Sequence, residues 1–367
     1  MKIAVFANAD WNVFNYRQAL IKALLQKGYE VVAMAPGNTY RKNIENLGCS
    51  YVEVKNISRK GTNPIKDLQL IWELSRIYRS ERIDLVLCFT IKPNIYGSFA
   101  TLFSSTYAIS TITGLGYSFL KGGVISSISN VLYKLAFKKS AGVVFQNSDD
   151  LKLFTDLRIV DKYKTKLIRG SGINIEYFNK SSKKVSDNFE LLFVGRLLLD
   201  KGVVELLEAF SKVLISNSKL VLTFVGDIDL GNPASIGEDV IRKYESDSIR
   251  FVGHQSNVKN YIEVSDTVVL PSYREGLPRV LLEAMSMSKP IIATNVAGCR
   301  EVVRHNENGY LVEPQNPISL EKAIVKLVRL EEEEREKMGK IGRDMVEVYF
   351  SDEIVTTSFL DLIEEII

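Results

Sequence analysis

Short apolar runs of strand length alternate with helix-length amphipathic segments, and this alternation occurs twice along the chain. It is typical of βαβ units, in which helices join parallel strands. The sequence therefore predicts an α/β fold with two Rossmann-like domains facing across a cleft. The predicted strands are residues 3–7, 30–34, 85–89, 107–111 and 142–145 in the first half, and 191–194, 221–225, 249–252, 267–270 and 291–293 in the second.

A polar segment between Asn179 and Asn188 separates the two halves. Because a chain of 367 residues is longer than one hydrophobic core usually holds, we place a domain boundary there. The predicted N-terminal domain is residues 1–178, and the predicted C-terminal domain is residues 188–350. A last helix, residues 352–367, is apolar enough to dock, and we expect it to pack on the N-terminal domain.

The two halves differ in charge. Residues 1–170 contain 24 Lys and Arg against 12 Asp and Glu, whereas the remaining residues contain 23 against 32. This basic first half predicts an anionic partner, either membrane phospholipid or a phosphate-bearing acceptor. No nucleic-acid-binding motif is found, so nucleic acid is not an expected partner. The segment Lys121–Lys139 mixes apolar residues with lysine and is either a membrane-surface helix or a buried amphipathic helix.

Several classes of protein are excluded. The chain has only two histidines, His254 and His305, which argues against a His-rich zinc site and against a histidine-activated nucleophile in the first half. Its three cysteines are far apart and fit no C-x-x-C spacing, so nothing in the sequence points to an oxidising compartment. The stretch Pro93–Leu120 lacks charge but contains many Ser, Thr and Gly, so it predicts helix, strand and loop rather than a membrane span. The first apolar run reaches Asp10 too soon for a signal peptide.

The most informative motif is residues 271–284, in which Glu275 and Glu283 stand eight residues apart. The Gly276-Leu277-Pro278 turn leads into a predicted helix that carries Glu283. Open α/β sheets bind ligands where such loops leave the strands. Carboxylates suit the vicinal hydroxyls of sugars because each offers two oxygens. The alternative interpretation is a loop charge at Glu275 and a solvated helix residue at Glu283.

A second motif, Gly195 to Gly202, leaves the first strand of the second half. Gly195 permits a tight exit from the strand, and Arg196 and Lys201 are expected to converge on one anion near the next helix. A departing diphosphate needs such positive charge. Taken alone, the two residues would be ordinary surface cations.

The chain resembles glycosyltransferase family 4. The resemblance rests on motifs that occur in the family's order: Gly195 to Gly202, Val225-Gly226-Asp227, Phe251 to His254, Glu275 with Glu283, Ala297 to Glu301, and Asn308-Gly309. It implies the GT-B fold and retaining sugar transfer from a nucleotide sugar, with neither a metal nor another cofactor. Asp227-Ile228-Asp229 spells a D-x-D motif, which binds metal in another glycosyltransferase fold; here it is predicted to close a turn.

The resemblance also implies residue roles. Arg196 and Lys201 bind the donor diphosphate and, with Glu275, are the implied catalytic residues. Glu283 binds the ribose. The remaining donor-binding residues are Gly195, His254, Gly276, Leu277 and Pro278, and the base of the nucleotide is expected near His254.

The first half is similar to the subgroup that extends membrane-linked glycan precursors such as O-antigen or capsule, through residues 112–117 and 130–137. The expected donor is a UDP-sugar carrying N-acetylhexosamine or a related hexose, and the expected acceptor is a saccharide on a lipid diphosphate such as undecaprenyl diphosphate. The protein is expected in the cytoplasm, peripheral on the inner face of the membrane. The implied acceptor-side residues are Asn8, Trp11, Arg17, Lys92, Gly114 and Gly116.

Two other functions stay open from the sequence. A nucleotide-sugar epimerase on the same fold would hold its nucleotide in the same way, although the scarcity of histidine argues mildly against it. A non-catalytic nucleotide-sugar-binding partner subunit would bind a donor that is never turned over.

Overall fold

A computed structural model describes residues 1–57, 63–115, 124–180 and 186–366, with side chains from residue 127 onward in the third range. The chain forms two compact units: Met1–Gly172 with Asp352–Ile367, and Ile173–Ser351. The division falls six residues before the predicted end of the N-terminal domain. The reason is that Ile173 and Phe178 are buried in the core of the second unit.

Parallel strands form the centre of the first unit. Within the described residues they make one seven-stranded sheet with the order β3-β2-β1-β4-β5-β6-β7. Its strands are β1 Lys2–Phe6, β2 Glu30–Ala35, β3 Ser50–Glu53, β4 Leu85–Phe89, β5 Tyr107–Ile112, β6 Gly142–Phe145 and β7 Thr165–Leu167.

Helices cover both faces of this sheet, and each face has its own hydrophobic layer. The helices are α1 Asp10–Gln26, α2 Arg41–Glu45, α3 Pro64–Ser80, α4 Ser98–Ala100, α5 Val124–Lys139 and α6 Ser148–Asp156, with a π-helical turn Pro93–Gly97 and a 3-10 turn Thr101–Phe103 flanking α4. One layer contains residues of α1, α2 and the C-terminal helix; the other contains residues of α3, the 93–103 segment, α5 and α6. Because both faces are covered, the inner strands β4 and β6 are apolar along their whole length.

Local sequence explains where α3 starts. The Asn63 side chain accepts hydrogen bonds from the backbone N–H groups of Ile65, at 3.0 Å, and Lys66, at 3.3 Å. Pro64 occupies the first helical position, where its fixed φ suits a helix and its missing N–H is not needed. The Asn63-Pro64 pair is therefore a local sequence signal for the start of α3.

The uncharged stretch from Pro93 contains helical turns and strand β5 as far as the structure describes it, in agreement with the sequence prediction. No helix in the described part of the chain is long and apolar enough to cross a bilayer.

Helix α5, in the segment Lys121–Lys139, has one buried face and one exposed face that includes apolar residues. Tyr133 and Phe137 are buried against the sheet, as expected of an amphipathic core helix. Ile128 and Val131 on the opposite face are exposed, which a purely buried helix does not explain. Residues 121–123 of the segment lie outside the described residues.

The second unit has a six-stranded parallel sheet with the order β10-β9-β8-β11-β12-β13 within the described residues. Its strands are β8 Phe189–Val194, β9 Leu220–Val225, β10 Ile249–Phe251, β11 Thr267–Leu270, β12 Ile291–Thr294 and β13 Gly309–Val312. Its helices are α7 Val203–Ser216, α8 Glu238–Tyr244, α9 Val258–Val264, α10 Arg279–Ser286, α11 Cys299–Val302, α12 Pro317–Arg329 and α13 Glu332–Tyr349. The prediction of two Rossmann-like α/β domains is confirmed.

The last helix, α14 Asp352–Ile366, packs on α1 within the first unit. Phe359 is buried, and its ring lies 6.0 Å from that of Phe89 in an edge-on contact. The helix therefore supplies part of a hydrophobic layer whose other members come from the start of the chain.

We expect Phe359→Ala to lower the free energy of unfolding of the first unit by about 3–5 kcal/mol, because it removes a fully buried ring and leaves a cavity. Exposed Thr357 on the same helix provides the matched control, Thr357→Ala, which should change stability little. Urea denaturation followed by circular dichroism measures both. Equal stability of the two variants would mean that α14 does not support the core.

Candidate functional site

The second sheet has its topological switch point between β8 and β11. From β8 the chain adds β9 and β10 on one side, and then β11 pairs with β8 on the other side. Open α/β sheets bind ligands at the carboxyl edge beside such a switch point. The two sequence motifs, Gly195 to Gly202 and residues 271–284, follow these two strands.

The loop after β8 is fixed against the loop after β11. Gly202 has a φ of 69°, and a Cβ atom there would collide with the carbonyl oxygen of Pro271. The backbone N–H of Tyr273 donates to the carbonyl oxygen of Asp200 at 2.9 Å. Only glycine permits this close approach, which sets where Lys201 lies.

Lys201 forms an ion pair with Glu275 across these two loops. The Lys201 Nζ atom lies 2.5 Å from Glu275 Oε1, and the side chains are 22% and 14% exposed. This ion pair joins a residue predicted to bind the diphosphate directly to the residue predicted to bind the sugar. Glu275 is therefore not a solvated loop charge.

Arg196 has a different carboxylate partner. Its Nη1 atom lies 2.6 Å from Asp229 Oδ2, and Asn232 also donates to that oxygen at 3.0 Å. The sequence predicted that Arg196 and Lys201 converge on one anion, whereas the structure pairs each with its own acid. The reason is that Asp229, in the loop after β9, lies within reach of the exposed Arg196 guanidinium.

The first acid of the D-x-D motif organises the neighbouring loops. Asp227 Oδ1 accepts a hydrogen bond from the backbone N–H of His254 at 2.8 Å, and its carbonyl oxygen accepts from Leu197 N–H at 3.0 Å. The loops after β8, β9 and β10 are thus joined at one edge, as the predicted turn role requires. Over the ranges that the structure describes, no three His, Cys, Asp or Glu side chains group around a possible metal. Metal-free catalysis stays a prediction.

Glu283 lies on α10 and is largely buried. Its Oε1 atom accepts from Arg279 Nε at 3.0 Å, one helical turn away. Burial raises the pKa of the Glu283 carboxyl above its ordinary value, and the Arg279 charge opposes this shift. Glu283 is therefore not a solvated helix residue. A carboxyl group whose charged form is disfavoured by burial is a candidate for a functional role.

The loop after β12 packs closely on the segment Gly276-Leu277-Pro278 and on the adjacent Glu275. Gly298 has a φ of 78°, and a Cβ there would lie 2.7 Å from the carbonyl oxygen of Glu275. Leu277 packs on the hydrophobic core, and Pro278 stands at the N-terminus of α10 without a side-chain cap. These contacts fix the loop that carries Glu275.

The acceptor-side residues follow strands of the first sheet. Asn8 and Trp11 follow β1, Lys92 follows β4, and Gly114 follows β5, so all four lie at that sheet's carboxyl edge. Gly116 lies outside the described residues.

Two of the acceptor-side cations have internal partners. Lys92 Nζ lies 3.2 Å from Asp67 Oδ1, and Tyr96 donates to the other oxygen of that carboxylate at 2.7 Å. Arg17 is only 3% exposed, and its guanidinium lies 3.8 Å from the centre of the Phe89 ring. The structure therefore places Arg17 in the interior of the first unit, where it supports the sheet rather than presenting a free charge.

Sequence reasoning missed the partners of the candidate residues. The i, i+4 spacing of Arg279 and Glu283 is a local signal that could have identified their ion pair. The sequence around Asp229 indicates only a turn, and its pairing with Arg196 depends on the neighbouring positions of β8 and β9. Tyr273 and Glu205, whose side chains share a 2.5 Å hydrogen bond, were not considered.

Two family models match the chain. The model described as "Glycosyl transferases group 1" matches residues 174–345, and the model described as "Glycosyl transferase 4-like" matches residues 2–147. The matches fall on different units, and together they cover most of the chain.

The chain is also similar to individual proteins. N,N'-diacetylbacillosaminyl-diphospho-undecaprenol alpha-1,3-N-acetylgalactosaminyltransferase of Campylobacter jejuni is 25% identical, covering 100% of this chain and 99% of the relative. UDP-Gal:alpha-D-GlcNAc-diphosphoundecaprenol alpha-1,3-galactosyltransferase of Escherichia coli is 26% identical over 72% of this chain and 71% of its own. The crystal structure of Anabaena HepE with UDP-glucose has a TM-score of 0.82 at 17% identity, covering 100% of both chains, which establishes a shared fold.

We expect Glu283→Gln to gain stability relative to the wild-type protein as the pH rises. Burial holds the folded-state pKa of Glu283 above its unfolded value, so this group favours folding at low pH and loses that contribution as it ionises in the folded state. Glutamine does not titrate. Urea unfolding at about pH 4.5 and about pH 7.5 measures the change.

The matched control is Glu208→Gln, which alters an exposed glutamate on α7. Its stability difference from the wild-type protein should stay nearly constant between the two pH values. A Glu283→Gln difference that moves in the opposite direction would show that Arg279, rather than burial, controls the carboxyl.

Proposed function

Because the chain belongs to glycosyltransferase family 4, we propose that it transfers a hexose or N-acetylhexosamine from a UDP-sugar to a saccharide held on a lipid diphosphate. The single observation that carries this proposal is the Lys201–Glu275 ion pair at the switch point of the second sheet. It sets a cation and a hydroxyl-binding carboxylate side by side, as a sugar diphosphate requires.

Donor binding is proposed for the carboxyl edge of the second sheet. Arg196 and Lys201 would exchange their carboxylate partners for the diphosphate oxygens, which carry more charge. Glu275 would then be free to accept from sugar hydroxyls, with Gly276, Leu277 and Pro278 forming the wall of the sugar site. Glu283 would accept hydrogen bonds from the ribose hydroxyls. His254, in the loop after β10, would lie near the nucleotide base.

The chemistry follows from charge. When the bond from the anomeric carbon to the phosphate breaks, negative charge grows on the leaving oxygen while the sugar becomes oxocarbenium-like. Fixed cations at the diphosphate lower the energy of that state more than that of the bound donor. Arg196 and Lys201 are proposed for this role, and no metal is required by it.

We propose retention of the anomeric configuration. The two bacterial relatives are named as forming alpha linkages, and UDP-hexoses are themselves α-linked. Both relatives are also named for acceptors on undecaprenol diphosphate, which supports a lipid-linked acceptor here. The basic first unit suits such an acceptor, and we propose that the protein works peripherally on the inner face of the cytoplasmic membrane in surface-polysaccharide or glycan assembly.

We expect UDP to raise the melting temperature of the purified protein more than GDP or ADP does, because a ligand that binds only the folded state stabilises it. Glu283→Gln should weaken UDP binding roughly 10–100-fold, the effect of losing hydrogen bonds to a charged group. Glu208→Gln is the control and should bind normally. Titration calorimetry measures the affinities.

Transfer itself is tested with UDP-hexoses and an acceptor saccharide on a lipid diphosphate, with the product's anomeric configuration read from proton NMR couplings. An α-linked product supports the proposal, and a β-linked product contradicts retention. Conversion of the UDP-sugar without any acceptor would indicate an epimerase. Tight donor binding without turnover of any acceptor would indicate a non-catalytic partner subunit.

We expect Arg196→Ala to lower kcat roughly 10²–10³-fold with a much smaller change in the KM for donor, because its charge counts most as the diphosphate departs. The control is Arg242→Ala, which removes an exposed arginine of α8 that is paired with Glu238. Steady-state kinetics compares them. Unchanged kcat in Arg196→Ala would remove Arg196 from the mechanism.

A further inference from the structure

Helix α3 carries an exposed stripe in which apolar residues are followed by arginines. Ile65, Leu68 and Trp72 lie on its outer face and are all exposed, Trp72 at 63%. Arg76 and Arg79 continue the same stripe at helical spacing, and the Arg76 guanidinium lies 5.7 Å from the Trp72 ring centre. The opposite face is buried against the sheet. The exposed apolar residues therefore do not belong to the protein's own core.

Helix α5 repeats this arrangement. Ile128, Val131 and Leu135 are exposed, and Lys134 and Lys138 lie on the same outer face. As in α3, exposed apolar residues precede the first basic residue of the stripe, and the last turn is basic. Two helices that are distant in sequence thus present the same pattern.

The two helices lie on one face of the first sheet and run in the same direction. Both pack on the segment 93–103, and both contribute to the same hydrophobic layer. Each follows a parallel strand and returns the chain to the start of the next, so the first turns of each, with Ile65, Leu68 and Ile128, lie toward the carboxyl edge. We name the outer face of both helices the α3/α5 surface, comprising Ile65, Leu68, Trp72, Arg76, Arg79, Ile128, Val131, Lys134, Leu135 and Lys138.

The charges of this surface are all positive. Helix α5 contains no acidic residue. Of the two acids in α3, Asp67 is buried and paired with Lys92, and Glu73 accepts hydrogen bonds from the backbone N–H groups of Lys55 and Asn56. An anionic surface is therefore the complementary partner. Exposed Trp and aliphatic side chains beside Lys and Arg are the combination that binds at the headgroup level of a bilayer.

We propose that the α3/α5 surface lies on an anionic phospholipid bilayer, with its apolar side chains among the headgroups and its Arg and Lys side chains at the lipid phosphates. The proposal deepens the proposed function, on which it rests, because a lipid-linked acceptor is presented at that bilayer. The first turns of both helices lie at the sheet edge that also carries Asn8, Lys92 and Gly114. Membrane docking would bring the acceptor diphosphate to that edge.

Co-sedimentation with vesicles tests the surface without donor or acceptor. The full-length protein should bind vesicles of phosphatidylcholine with phosphatidylglycerol more strongly than vesicles of phosphatidylcholine alone, and salt should weaken binding. The double variant Leu68→Ser/Trp72→Ala should lower the partition coefficient roughly ten-fold or more. Arg76→Gln/Lys138→Gln should lower the preference for anionic lipid, since only Arg79 and Lys134 of the surface cations remain.

Matched controls come from equally exposed residues elsewhere. Ile215, 89% exposed at the end of α7, gives Ile215→Ser, and exposed Lys152 gives Lys152→Gln. Both should bind vesicles as the wild-type protein does. Equal binding by the α3 variant and Ile215→Ser, with both proteins folded, would overturn the proposal.

Tryptophan fluorescence gives a second, direct measurement. Trp11 and Trp72 are the only tryptophans, so Trp11→Phe leaves Trp72 as the sole reporter. Its emission should shift to shorter wavelength on adding anionic vesicles, since the ring leaves water. An unchanged spectrum under conditions where the protein sediments with vesicles would place the contact elsewhere and overturn the proposal.

Three outcomes separate this inference from its alternatives. Concentration-dependent dimerisation that Trp72→Ala abolishes, without vesicle binding, would assign the surface to a second copy of the chain. Normal UDP binding and transfer to a detergent-dispersed acceptor, without vesicle binding, would overturn the membrane surface and leave the proposed function standing. Vesicle binding without UDP binding would support the membrane surface and contradict the proposed function.

Discussion

Parallel strand pairing is the constraint on which the rest of this structure depends. Each strand must be followed by a crossover helix, so all loops that leave strand ends emerge at one edge of a sheet. In the second unit this edge gathers the loops after β8, β9, β10, β11 and β12. Residues as distant in sequence as Lys201 and Glu275 are brought into contact by this geometry alone. Glycines at 202 and 298 then let the backbones approach closely enough for the loops to support one another.

Ion pairing is the second principle of the candidate site. Lys201 is paired with Glu275, Arg196 with Asp229, and Arg279 with Glu283. Partly buried charges are costly when isolated, and loss of one partner leaves the other uncompensated. Pairing therefore lets the sheet edge keep several cations and acids in place while no ligand is bound. The arrangement also makes the site sensitive to single substitutions, since each removes half of a pair.

The fold was predictable because its signals are local. All ten apolar runs became strands, and Asn63-Pro64 marked the start of α3, since strand burial and helix capping are written in neighbouring residues. The strands β3, β7 and β13 were missed because Ser50–Glu53 and Thr165–Leu167 are mixed in polarity and Gly309–Val312 begins with glycine. The partners of the site residues were less accessible. Asp229 meets Arg196 only through the pairing of two strands, and the burial of Arg17 under Phe89 depends on how α1 crosses the sheet.

The C-terminal helix α14 gives the chain an unusual order of assembly. Its residues Val355, Phe359 and Ile363 complete a hydrophobic layer that otherwise belongs to the beginning of the chain. During synthesis, residues 1–172 emerge long before this helix does, so the part of their sheet that α14 covers stays exposed while the whole second unit is made. The second unit, whose residues are contiguous, can finish folding first. A chaperone that shields this part of the first sheet would therefore act during a defined interval, between the emergence of residues 1–172 and the docking of α14.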